Sequence, residues 1–170
     1  RADSEDGFSF TVHPQPFLTP SSDGVFAEYE EFGVEDLRIC PVEGKYLLTY
    51  SAYSRHGVRI ALARTEDFEK IERIALITQA DLRSVVIFPV KFGGRYARLD
   101  RPHSEISPWS IWISYSPDLV HWEYLHKFYK SDRRWTGPEE DCSCPDFFPI
   151  GNKHMLMFIS HARGCQYYIG

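Results

Sequence analysis

The sequence predicts an all-β chain of β-propeller type, with about two and a half to three four-stranded blades, on three observations. Turn glycines recur at Gly44, Gly94 and Gly151, about 50 to 57 residues apart, the length of one four-stranded blade. A second signal, Ser/Thr-x-Asp, comes later in the unit, as Thr65-Glu66-Asp67 and Ser116-Pro117-Asp118. No stretch sustains helical periodicity; residues 67–77 come closest, and their β-branched side chains suit a strand equally well. A chain of 170 residues can bury a sizeable core, so one propeller-type unit over 1–170 is expected.

Each element arises from local chemistry. Ser4-Glu5-Asp6-Gly7 is a turn that looks like the tail of a preceding copy. Residues 13–20 carry three prolines and read as an extended connection. Ser21-Ser22-Asp23-Gly24 is a second turn, and residues 26–31 are acidic and aromatic. The first unit then runs as a strand, a Glu43-Gly44 turn, a second strand at 46–52 and a third at 58–63. The second unit repeats this over 85–102 around Gly93-Gly94, with a strand at 96–99 and another at 109–115. The third spans 145–161 around Gly151-Asn152, with strands at 154–160 and 165–169. Glycines supply the positive φ that tight hairpins demand. The Ser/Thr-x-Asp oxygens can cap a turn between third and fourth strands, which the next aromatic covers. A closed ring needs about four blades, so open edges predict a homo-oligomer.

Composition narrows the function. The formal net charge is −5 and the cations are scattered, which disfavours nucleic acid as a partner. No apolar run approaches the roughly 18 residues of a membrane span, and no signal-peptide pattern opens the chain. Arg1 is not an initiator, so a trimmed chain or a fragment is expected. Aromatic residues make up 15%, which suits strands and faces that stack on sugars. Cys40, Cys142, Cys144 and Cys165 fit no standard zinc spacing, and read as small buried apolar residues in a reducing, cytoplasmic setting.

Glu35-Asp36-Leu37-Arg38 is the candidate site. Strand alternation would put Glu35 and Leu37 on one face and Asp36 and Arg38 on the other. An acid beside an arginine at a strand start suits glycosidic cleavage at a propeller mouth. On local chemistry alone, an exposed ion pair at a strand edge is the plainer reading.

Residues 33–39, 49–54, 58–63, 88–91, Arg101-Pro102 and 111–122 resemble glycoside hydrolase family 130, the β-mannoside phosphorylases and related mannosidases. Residues from Trp135 to Gly170, with Cys144-Pro145-Asp146-Phe147-Phe148-Pro149, resemble glycoside hydrolase family 32, the fructosidase and invertase group. Both are five-bladed propellers. The expectation is therefore a chimera, family 130-like over 1–122 and family 32-like over 123–170.

The family 130 resemblance implies an inverting reaction on a mannoside, with Asp36 as general acid in place of the aspartate of Gly-Val-Glu-Asp-Pro-Arg. Leu37 stands where that motif has proline. Arg83 and Arg101, with His103 as a further contact, would bind phosphate, and Arg59 and Lys91 lie in family-like motifs. Tyr53 and Trp109 could stack on sugar, although a core role is the simpler account of each. No cofactor or metal is implied; inorganic phosphate would be a co-substrate and an oligomannoside the partner. The fructosidase motifs are missing, and Ser143 replaces the glutamate before Cys144, so that reaction is not expected. Blades that supply further family contacts are also missing, so activity is expected to be weak or lost. The alternative is a partial, chimeric or engineered propeller scaffold without catalysis, self-associating through its open edges.

Overall fold

A computed structural model describes residues 1–102, 110–128 and 142–170. Two short strands, β1 (Ala2–Asp3) and β2 (Thr11–Val12), pair antiparallel. One helix, α1 (Gly24–Tyr29), leads into the first blade. That blade is the meander β3 (Gly33–Val42), β4 (Lys45–Ser54), β5 (Gly57–Thr65) and β6 (Glu72–Leu76). The second is β7 (Leu82–Ile87), β8 (Tyr96–Pro102), β9 (Trp112–Ser116) and β10 (Glu123–Lys127). Three strands of a third come next, β11 (Ser143–Ile150), β12 (Lys153–Ser160) and β13 (Gly164–Ile169). The protein is all-β, with blade-like sheets in the number the repeat predicts. The helix, at 24–29, is the one departure among the described residues, and six residues are too few to register as periodicity.

The turns form for the reasons their residues suggest. Glu43 and Gly44 both adopt positive φ, 50° and 78°, as do Gly93 and Gly94, at 58° and 78°; each dipeptide closes a tight hairpin. Among the described residues, the Ser/Thr-x-Asp turn occurs three times with one bonding pattern. Gly7, Phe68 and Leu119 donate their amides to the hydroxyls of Ser4, Thr65 and Ser116, at 2.8, 3.0 and 2.8 Å. The next amides converge on one carboxylate oxygen of Asp6, Asp67 or Asp118. Gly7, Phe68 and Leu119 all sit at positive φ, so the chain accepts side-chain strain in two copies and avoids it with glycine in the third. Trp122 covers the turn at Ser116–Asp118 and donates its Nε1 to Leu119 O at 2.8 Å.

Side-chain alternation builds three apolar layers. Leu47, Ile60 and Leu62 face Val85, Ile87 and Tyr96 between the first two blades. Leu99, Ile111 and Ile113 face Leu156 and Phe158 between the second and third. Leu48, Tyr50, Ala52, Ala61 and Ala63 form the other face of the first blade, covered by Phe17, Leu18 and Phe26 from the N-terminal segment and α1. On the third blade, Ile159, Tyr167 and Ile169 of the outer face are exposed. Against expectation, two of the four cysteines are exposed: Cys40 and Cys142 are buried, Cys144 and Cys165 are not, and none is in a disulfide. Cys165 alternates onto that exposed face through its pairing with Ile159.

Candidate active site

The inner strands β3, β7 and β11 pack successively against one another, as first strands do around a propeller axis. Each is bulged near its start. In β3, Glu35 pairs with Ser51 and Arg38 with Thr49, so Asp36 and Leu37 together oppose Tyr50. In β7 the break lies between Arg83 and Val86, and in β11 between Ser143 and Asp146. The first residue of each bulge is left-handed: Asp36 at φ 55°, Ser84 at 56° and Cys144 at 49°. A bulge inserts one residue into the pleat and re-aims the side chains beyond it. The regular alternation expected across Glu35, Asp36, Leu37 and Arg38 is therefore broken at Asp36.

Asp36 and Glu35 are exposed. Beside them Tyr53, near the end of β4, lies under the Arg83 guanidinium, 5.5 Å from ring centroid to Cζ. Burial pushes the Tyr53 phenol above its usual range; Arg83 opposes this, and the charges of Glu35 and Asp36 with a hydrogen bond to Glu35 reinforce it. These effects act at short range, so Glu35, Asp36, Tyr53 and Arg83 form one electrostatic group. Arg101 joins it through the register of β7 and β8, in which it stands directly opposite Arg83. Two guanidinium groups so placed bring two forked sets of N–H donors onto neighbouring strands. Arg101 is buried and Arg83 half-buried, so the pair is not a solvated strand-end charge.

Two of the other sequence-predicted cations lie elsewhere. Lys91 is held by Glu43 Oε1 at 2.6 Å and lies over the Tyr96 ring, beside the hairpin turn at the far end of β3 from Asp36. Arg59 donates its Nε to Thr78 O at 2.7 Å and stacks on Tyr29, at the seam between the first two blades. The structure does not bring either to the Asp36 group. His103 and Trp109 lie outside the described residues.

Sequence reasoning missed three features of the site and its support. Arg38 donates to Asp146 Oδ1 at 3.0 Å, joining the inner strands of the first and third blades across the axis. Ser84 and Cys144 repeat the backbone of Asp36, a correspondence that only the blade repeat could have signalled. Glu30, at the C-terminal end of α1, is fully buried and accepts from Tyr50 Oη at 2.6 Å, Arg73 Nε at 3.0 Å and Nη2 at 2.9 Å, and the Ser21 amide at 2.7 Å. That network fixes β4 and β6 against the helix, and with β4 the strand that carries Tyr53. Among the described residues no group of three or more His, Cys, Asp or Glu side chains is disposed to hold a metal ion. No helix among them is long and apolar enough to cross a membrane.

Known proteins share this arrangement of strands. The model of glycoside hydrolase family 130, described as beta-1,4-mannooligosaccharide phosphorylase, matches residues 1–143. A beta-1,2-mannobiose phosphorylase of Listeria innocua is 42% identical over 119 residues, 69% of this chain and 32% of its own length. A 1,2-beta-oligomannan phosphorylase of a Thermoanaerobacter species is 30% identical over 127 residues, 73% of this chain and 39% of its own. The chain thus spans between 32% and 39% of the length of these relatives. The solved Listeria innocua beta-1,2-mannobiose phosphorylase, in complex with beta-1,2-mannobiose, superposes with a TM-score of 0.80 at 32% identity, over 99% of this chain and 47% of that one. A sucrose-6-phosphate hydrolase from Lactobacillus gasseri gives 0.60 at 19% identity, over 77% of this chain and 28% of that one, a likeness of fold alone. The family match runs past Trp122 to residue 143, and the Listeria likeness covers nearly the whole chain, including the stretch expected to resemble family 32. Two complete blades and three strands of another make the described part a portion of a five-bladed propeller-type fold, and the chain belongs to glycoside hydrolase family 130.

Proposed function

We propose that the Asp36 group is the acid and phosphate side of an inverting β-mannoside phosphorylase mouth. Asp36 protonates the leaving oxygen as the glycosidic bond breaks, and phosphate, held by Arg83 and Arg101, attacks the anomeric carbon from the opposite face. The observation that carries this reading is the Arg83–Arg101 cross-strand pair standing beside Tyr53 and Asp36. Two guanidinium groups on neighbouring strands suit the bidentate hydrogen bonding of a phosphate, which favours phosphate over water as the attacking group. Tyr53 supports the Arg83 guanidinium through a cation–π contact. The substrate class rests on the relatives, which are named for beta-1,2-mannobiose and 1,2-beta-oligomannan. Much of the rate in such enzymes comes from positioning and preorganised charge, so slow turnover is expected from a chain with part of the relatives' length. A reducing, cytoplasmic setting accords with four cysteines outside disulfides.

The test is phosphate-dependent release of mannose 1-phosphate from β-1,2-mannobiose by the purified chain. Release that Asp36→Asn abolishes, and that Arg83→Ala makes more demanding of phosphate, supports the reading. A folded chain that gives no release, or whose Asp36→Asn variant is as active as the parent, overturns it.

A second reading, a self-associating scaffold without catalysis, draws on the exposed Ile159, Tyr167 and Ile169 of the third blade. Light scattering separates the two, because a strict monomer removes its motive. A joined origin for residues 123–170 draws on the Cys144–Pro149 motif, whereas the extent of the family 130 likeness favours a single lineage.

A further inference from the structure

We propose that the seam between the first two blades is a second saccharide site, separate from the Asp36 mouth and taking a short neutral oligohexoside. A cleft of about 500 Å³ opens there, within the usual range of small-ligand sites, about 300–1,000 Å³. Its floor is an ion pair with almost no exposure. Arg98 and Asp100 are 4% and 1% exposed, and Arg98 Nε donates to Asp100 Oδ2 at 2.7 Å. Arg98 also donates to Ile77 O at 2.8 Å and lies 4.4 Å from the Trp122 ring centroid, while Ser114 Oγ donates to Asp100 at 3.0 Å. The charges at the floor cancel, so the floor itself offers no net charge to an anion, and in this it differs from Arg83 and Arg101.

The walls supply what a pyranose needs. Trp112 and Tyr124 pack ring against ring, 4.3 Å between centroids, and Trp112 Nε1 donates to Ser110 Oγ at 2.9 Å, which fixes the indole. Trp122 is oriented by its bond to Leu119 O. Rings held in this way offer flat apolar area with little ordering entropy left to lose, and a hexose presents a matching C–H face. Gln79, His121 and Arg59 stand around the cleft as polar partners for the hydroxyl rim. Arg59 Nε is already given to Thr78 O, which leaves its terminal nitrogens for a ligand. The aromatic wall is on β9, β10 and the turn before it, up to three strand spacings, about 14 Å, from inner strand β7. One chain could therefore hold saccharide at the seam while the mouth works on another portion. The choice of a mannoside as ligand rests on the proposed function; the site itself does not.

Intrinsic fluorescence tests this directly, since two of the four tryptophans line the cleft. Titration of the whole chain with β-1,2-mannobiose is expected to give a saturable change in the parent and in Asp36→Asn/Arg83→Ala. Trp112→Phe and Tyr124→Ala are each expected to weaken binding about tenfold, with thermal unfolding showing that both variants fold. Isothermal calorimetry supplies the affinity where the Trp112 signal is lost. No saturable binding up to about 10 mM overturns the proposal. So does binding that Asp36→Asn/Arg83→Ala removes and Tyr124→Ala keeps, because the sugar is then in the mouth and the phosphorylase reading stands. Seam binding without phosphate-dependent turnover has the opposite meaning: the seam site stands and the phosphorylase reading falls.

Discussion

The first and third blades bend their inner strands in the same way and put different chemistry on the bend. In the first, Asp36 takes the left-handed position, Leu37 comes next, and Tyr53 and the arginine pair stand close by. In the third, Cys144 takes that position and Pro145 comes next. The surroundings differ as well. Both faces of the first blade are buried, one by the second blade and one by the N-terminal segment, whereas the third exposes apolar side chains on its outer face. The backbone device is therefore independent of both the residue it presents and the cover around it. The bulge decides where a side chain is aimed, and the side chain decides what happens there.

The contrast in cover can be broken most sharply in the core. Leu48→Ala in the first blade is expected to lower stability by about 2–5 kcal/mol, because Leu48 is fully buried and its cavity cannot collapse against a rigid sheet. Ile159→Ala on the open face of the third blade should cost about 0.5 kcal/mol or less. Urea unfolding of both variants measures the gap, and equal costs would mean that the third blade's face is covered in solution.

Glu30→Gln tests the N-terminal cover. It leaves Arg73 and Tyr50 facing a neutral amide in a fully buried position, and a loss of about 3 kcal/mol is expected. Tyr50→Phe should cost less, about 1 kcal/mol, because it removes one neutral donor from the same carboxylate. A loss under about half a kcal/mol for Glu30→Gln, read by the same urea unfolding, would show that the helix does not seal the first blade.

Leu37→Pro carries the third blade's bulge into the first. Pro145 already succeeds a left-handed residue there, so the substitution should be tolerated and gain about 0.4–1 kcal/mol from a stiffer unfolded chain. Destabilisation by more than about 1 kcal/mol would show that the two bulges are not equivalent. The axis-crossing pair gives a smaller effect. A double-mutant cycle on Arg38→Ala and Asp146→Ala is expected to yield a coupling of about 0.2–1 kcal/mol, since both side chains are partly exposed.

The smallest effect is in acid. Amides of Ser9 and Phe8, with the Ser4 hydroxyl, pull the Asp6 carboxyl down to about 2; the amides of Glu69 and Lys70 lower Asp67, and the His121 ring, followed by the amides of His121 and Val120, lowers Asp118. A carboxylate with a depressed folded pKa stabilises fully above its unfolded pKa, near about 3.9, and that contribution disappears as pH falls through the folded value. Protection of the Ser9, Glu69 and Val120 amides, taken relative to intrinsic exchange at each pH, should thus hold above about pH 4 and fall toward about pH 2. Loss of protection already at about pH 5 would contradict these caps.

Most of the architecture was legible because it is local. Gly44, Gly94 and Gly151, and three Ser/Thr-x-Asp turns, need a few neighbouring residues to act, and each does what its chemistry dictates. Of the proposed site, the sequence offered Asp36 through a motif, whereas the pairing of Arg83 with Arg101 follows from strand register. The position of Lys91 was not legible, because its motif says nothing about which end of the sheet it occupies, and the bond to Glu43 of the neighbouring blade holds it at the hairpin end. Glu30 looks like one more acid in a charged stretch; nothing nearby in sequence announces Arg73 as its partner. The Arg38–Asp146 bridge joins residues from different blades, and no pattern read along the chain can anticipate it.

The threefold bulge has a consequence for how such proteins change. Among the described residues, each of the three blades has this bend, with its first residue at a similar backbone angle. Moving an acid from one spoke of the wheel to the next therefore asks for no new loop and no new fold, merely a different codon at position 36, 84 or 144. On the proposed role of Asp36, the acid sits on a backbone device that the neighbouring blades also possess, so the framework does not tie that chemistry to one blade.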